Sequence, residues 1–96
     1  MSKYSLIVEF LKGFERTLDD NHEVWLQFPG YNTTFKILET MTGEDEFLSL
    51  HLVSDTGEHF SLIQSYSALN FAVFAKPKSS PEKPAQRIGF TLPESQ

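Results

Sequence analysis

A mostly-β domain with a single helix ahead of its strands is what this sequence predicts, and three observations predict it. Residues 3–18 carry apolar side chains at spacings of three and four. Residues 22–76 break into five short runs in which side chains alternate in character. Turn residues, Pro29-Gly30, Thr42-Gly43-Glu44-Asp45 and Asp55-Thr56-Gly57, separate the first four runs. A helix followed by a meander of this kind closes into a small five-stranded antiparallel barrel, or else remains an open antiparallel α+β sheet curled around the helix.

In the first segment Tyr4, Ile7, Leu11, Phe14 and Leu18 form one stripe, while Lys3, Glu9, Lys12, Glu15 and Arg16 fall elsewhere. Leu6, Val8 and Phe10 widen the stripe beyond the needs of a surface helix, so part of it is expected to cover a second surface. Ser2 or Ser5 supplies the cap, and Asp19-Asp20-Asn21 ends the helix.

The first strand, residues 23–28, sets Val24, Leu26 and Phe28 toward the core and Glu23, Trp25 and Gln27 away from it. In the second, residues 33–41, Phe35, Ile37 and Met41 share a face with Glu39, which places that carboxylate at a rim. The third, residues 46–54, turns Leu48, Leu50 and Leu52 inward. A three-residue loop, Asp55-Thr56-Gly57 with Gly57 left-handed, pairs Leu52 with Phe60 and Leu50 with Leu62; a two-residue loop would face the leucines with Ser61 and Ile63. It also leaves His51 and His59 as diagonal neighbours outside. Residues 65–70 make a short connection, and the fifth strand, residues 71–76, is apolar on both faces.

The chain divides into a domain at 1–76, a Pro-rich linker at 77–87 and a tail at 88–96 whose Ile88, Phe90 and Leu92 alternate, as an added strand or a docking segment does. Its 96 residues lie near the lower limit for a self-sufficient core, so dense packing of nine Phe, three Tyr and one Trp, or oligomerisation, must supply stability. Without cysteine there is no disulfide framework, and no leader-like apolar stretch opens the chain; a cytoplasmic protein off the membrane is expected. Net charge is −5, and the acids concentrate before Lys76, so a broad grip on nucleic acid is disfavoured and any basic patch must involve the tail.

Two enzymatic patterns are weak. Asp55-Thr56-Gly57 is similar to the catalytic triplet of retroviral-type aspartic proteases, yet too little chain follows for a flap, and turn chemistry accounts for the same residues. His51, His59 and His22 have metal-ligand chemistry but no carboxylate or cysteine at matching spacing, and solvent-exposed histidines are the better reading. No Ser-His-Asp set or phosphate-cradling glycine loop is present, so the expectation is no enzyme and no cofactor. Trp25, Phe47 and Tyr66 are candidates for an exposed aromatic surface, unless Trp25 only covers the barrel beneath the N-terminal helix.

The order of elements, Gly30 in the first turn and the stretch Asp45-Glu46-Phe47-Leu48-Ser49-Leu50 together resemble the Sm-like family, which includes the bacterial Hfq RNA chaperones. The resemblance implies a small Sm-like, SH3-like barrel that forms a ring, the fourth strand of one subunit pairing with the fifth of the next. Phe60, Leu62, Phe71, Val73 and Phe74 would then line the homo-oligomer interface, and Glu46 and Phe47, with Trp25 and Tyr66, the ligand or partner surface. Where Hfq has Tyr-Lys-His, this chain has Ser65-Tyr66-Ser67, and Glu46 repels phosphate. A non-enzymatic assembly module with a protein partner is therefore expected ahead of single-stranded RNA binding of altered specificity.

Overall fold

The helix α1, Lys3–Arg16, begins at Ser2, whose hydroxyl accepts a hydrogen bond from the Ser5 amide at 3.0 Å and so satisfies one of the free donors of the first turn. It ends at Thr17, where hydroxyl and amide both donate to the Phe14 carbonyl. A computed structural model describes residues 2–44, 46–78 and 80–90 of the chain. After α1 come β1 (His22–Gln27), β2 (Phe35–Glu44), β3 (Phe47–Ser54), β4 (His59–Ser65), a 3-10 turn (Tyr66–Ala68), β5 (Ala72–Pro77) and β6 (Gly89–Phe90).

The sheet order is β4-β3-β2-β1-β5, antiparallel throughout, with β6 added parallel to β2. The described strands thus make a six-stranded sheet rather than the expected five-stranded barrel. The sheet is not closed, because β4 and β5 stand at opposite ends of the order with no pairing between them. The chain crosses from β4 at one end to β5 at the other through the 3-10 turn and then pairs along the whole of β1, from His22 opposite Pro77 to Gln27 opposite Ala72.

The core lies between α1 and one face of this sheet. Tyr4, Val8 and Leu11 of α1 pack on Val24, Leu26 and Phe28 of β1, Phe35 and Ile37 of β2, and Leu48, Leu50 and Leu52 of β3. Ile7, Phe14 and Leu18 are half-buried at its margin, whereas Leu6 and Phe10 are exposed. The three-residue loop after β3 has the expected register, with Leu50 opposite Leu62 and Leu52 opposite Phe60. Gly57 takes φ of +93° there, a conformation that side chains beyond glycine enter at a cost. Asp55 accepts from the Thr33 hydroxyl at 2.7 Å, and the Ser54 amide donates to the Glu58 carbonyl, so the Asp-Thr-Gly triplet is used as a turn.

One register expectation is overturned. The pairing of β2 with β3 slips between Ile37 and Glu39, because a bulge at Leu38 inserts one residue and reverses which side chains face inward. Thr40, not Met41, reaches the core and is fully buried; Glu39 is exposed, and Met41 is only half-buried. The Tyr4 hydroxyl lies 3.0 Å from Thr40 Oγ1 and donates to the Thr40 carbonyl, so the hydroxyl forced inward finds a partner on the helix.

Beyond Pro77, which ends β5, the described residues of the Pro-rich segment form no helix or strand but are bonded to the domain. The Lys78 amide donates to the Asn21 carbonyl, the Gln86 amide to Glu23 Oε2 at 2.7 Å, the Arg87 guanidinium to the carbonyls of His22 and Asp19, and the Ile88 amide to Glu15 Oε2 at 2.8 Å. Ile88 is buried in the core cluster, and Phe90 lies against it beneath the Lys12 ammonium. At Gly89 a side-chain carbon would stand 3.0 Å from the Leu38 carbonyl, so the bulge and the glycine fit one another. Leu92, expected to dock with Ile88 and Phe90, lies outside the described residues.

Candidate assembly edges and partner surface

Every sheet that does not close has two outer strands, and here they are β4 and β5. β4 reads His-Phe-Ser-Leu-Ile-Gln-Ser, with neither proline nor a charged Lys, Arg, Asp or Glu to discourage pairing with another strand. Ile63 is 68% exposed on its outer face and Phe60 42% exposed on its inner one. β5 reads Ala-Val-Phe-Ala-Lys-Pro, so charge and proline are confined to its last two residues.

Of the five residues expected at an interface, four gather around one seam. Phe60 meets the buried Phe35 edge-on at 5.4 Å between ring centres, Phe71 tilts against Phe28 at 5.4 Å, and Phe28 and Phe35 touch each other at 6.0 Å. Leu62 and Val73 are half-buried against the same core. Tyr31, 49% exposed, completes the aromatic group by packing on both Phe28 and Phe35. A cavity of about 60 Å³ lies between Phe35, Leu52 and Phe60, and a wider cleft of about 420 Å³ opens beside Gly30, Asn70 and Phe71. The fifth residue, Phe74, is on the opposite face, across the register from Trp25.

The expected partner surface is divided. Glu46, Phe47 and Tyr66 do come together: the Tyr66 amide donates to the Glu46 carbonyl at 3.0 Å, and Phe47, 42% exposed, pairs with Ser65 just before the 3-10 turn. The Tyr66 ring is half-buried against the core, with its hydroxyl buried and unpartnered among the described residues. Trp25 is elsewhere. It sits at the centre of the outer face of β1, 7% exposed, with the Lys76 ammonium 4.1 Å and the Lys36 ammonium 5.6 Å from its ring centre. Lys36 Nζ also lies 3.4 Å from Glu23 Oε1.

Of the histidines, His51 and His59 are diagonal neighbours across β3 and β4, as the three-residue loop implies, and line one cleft; His51 Nδ1 is also 4.0 Å from Glu39 Oε1, whereas His22 stands apart before β1 with its Nδ1 2.7 Å from Asp19 Oδ1. No three ligating side chains converge among the described residues. No helix among them is long and apolar enough to cross a membrane.

Comparison with protein-family models, curated proteins and solved structures matches nothing. What the chain offers for a functional reading is therefore its own geometry: two open strand edges joined by an aromatic seam, and an enclosed aromatic-basic cluster on the opposite face. Alternation placed Trp25 on the outer face but gave no sign of the two lysines that cover it, because Lys36 and Lys76 come from strands whose adjacency to β1 is a property of the topology.

Proposed function

We propose that this protein is a non-enzymatic assembly module of Sm-like type, in which the free edge of β4 on one copy pairs with the free edge of β5 on the next. The observation that carries the reading is the uncharged, proline-free β4 edge, seven residues long, facing outward with Phe60 and Ile63 exposed. A strand of that composition left unpaired invites association. A strand order that ends in β4 and β5 makes the contact heterologous, so repeated pairing generates a ring when the rotation closes. Barrel-like closure would then be completed around Phe60, Leu62, Phe71 and Val73 by the neighbouring copy.

Protein contact is favoured over single-stranded RNA as the role of the assembled particle. Phe47 lies beside an exposed carboxylate, Glu46, and Trp25 is covered rather than offered for stacking. Light scattering of the full chain tests the assembly: a monodisperse oligomer is expected, and Ser61→Lys with Ile63→Lys, both exposed positions, reduces it to folded monomer. A wild-type chain that is monomeric at all concentrations overturns the proposal.

A further inference from the structure

Two ammonium groups share one indole on the outer face of the sheet, and among the described residues one carboxylate, Glu23, accompanies them. Lys36 is matched by Glu23 at 3.4 Å, with the lysine side chain 14% and the glutamate side chain 4% exposed. The second oxygen of Glu23 is taken by the Gln86 amide. Lys76 is half-buried and stands opposite Glu23 in the register, but among the described residues no carboxylate oxygen lies within 4.0 Å of its ammonium; its neighbours are Thr34 Oγ1 at 3.4 Å and the Trp25 ring at 4.1 Å. The indole N–H of Trp25, buried with the rest of that side chain, has no acceptor among them either. A half-buried Phe74 lies across the register from Trp25.

Uncompensated positive charge, a buried donor without a partner and a flanking ring together call for an acceptor that bears negative charge. We propose that this face of β1, β2 and β5 binds a phosphate group, held between Lys36 and Lys76 and accepting from the Trp25 indole. Three donors drawn from three adjacent strands, Lys36 of β2, Trp25 of β1 and Lys76 of β5, are served together by the oxygens of a tetrahedral phosphate. Two carboxylate oxygens in one plane do not serve them equally well, and lysine, a point charge on a flexible stem, imposes no planar match of its own. Access to the buried indole N–H requires the Lys76 stem, whose ammonium lies over the ring, to swing aside. With a net charge of −5 on the whole chain, the arrangement suits one phosphate rather than a polymer track. The site does not depend on the assembly proposed above.

Trp25 is the only tryptophan, so its emission reports the site directly. The full chain is titrated with inorganic phosphate, adenosine monophosphate, acetate and chloride at matched ionic strength. Phosphate and the nucleotide are expected to give saturable changes that acetate and chloride do not. Lys76→Gln is expected to weaken both by roughly tenfold or more while leaving the melting temperature in place. Tighter binding of the nucleotide supports the site with Phe74 included, and equal binding supports it with the phosphate alone recognised. A response common to all four anions, no response, or an unchanged affinity in Lys76→Gln overturns the proposal. Phosphorus-31 line broadening, which needs no tryptophan, repeats the comparison in Trp25→Phe, where weaker binding is expected and unchanged binding removes the indole from the site.

Discussion

Asp19 sits in the loop between α1 and β1, and its carboxylate gathers the local hydrogen bonds. The His22 side chain at 2.7 Å is the main influence, the Asn21 amide at 2.8 Å the next, and the nearby charges of His22 and Arg87 add to them. Together they hold the acid below its ordinary value of 3.8. The folded chain therefore binds fewer protons here than the unfolded chain, and the sign follows. The contribution to stability is complete above the unfolded carboxylate value and is lost as pH falls through the lowered folded one. Melting temperature measured across that acid range should fall more steeply for the wild type than for Asp19→Asn, which removes the titration; parallel curves would show that these contacts do not stabilise the fold. Asp19 is exposed, so the difference is small, but its direction is fixed.

Among the elements, α1 depends on the bulge in β2. Leu38 shifts the alternation by one, Thr40 enters the core, and its hydroxyl is answered by Tyr4. Tyr4→Phe removes that partner from a fully buried group, and a loss of about 1–2 kcal/mol is expected by denaturant unfolding. Thr40→Val combined with it should cost less than the two single changes added together, since they act on one bond; full additivity would separate them. This is also where the sequence was least legible. The stripe Tyr4, Val8, Leu11, the inward leucines of β3 and the loop at Gly57 follow from spacing and turn chemistry, which act locally. A bulge is decided by what packs on both sides of a strand, and nothing within residues 33–41 marks Leu38. The cover of Trp25 by Lys76 was hidden for the same reason: it exists only after β5 has crossed the sheet to lie beside β1. The partner surface suffered most, because aromatic character alone grouped Trp25 with Phe47 and Tyr66, and the topology sets Trp25 apart.

Across the whole molecule, residues 78–90 tie together parts that lie far from them in the sequence. They contact α1 through Glu15, the following loop through Asp19 and Asn21, β1 through Glu23 and β2 through β6. Composition read residues 77–87 as a linker, and their prolines do exclude a long strand; what composition could not show is that carboxylates on α1 and β1 accept the amides of Ile88 and Gln86. Ile88 is the apolar anchor, 8% exposed. Ile88→Ala should cost about 2 kcal/mol, near 10 °C in melting temperature for a chain of this size. Amides of residues 86–90 should also lose hydrogen-exchange protection in that variant ahead of those of β3. If β3 and the segment exchange together, the segment is not a separate unit of stability.

The same segment sets an order of events during synthesis. The Glu15 carboxylate meets the amide of Ile88, 73 residues later, and β1 obtains its second neighbour only from residues 72–77. While a ribosome is still adding those residues, the meander of β2, β3 and β4 can form from local contacts, but α1 and β1 have not received the partners that cover them. Of the described elements α1 and β1 are made first yet are sealed last, because Ile88, which completes the core they share, comes 73 residues after Glu15.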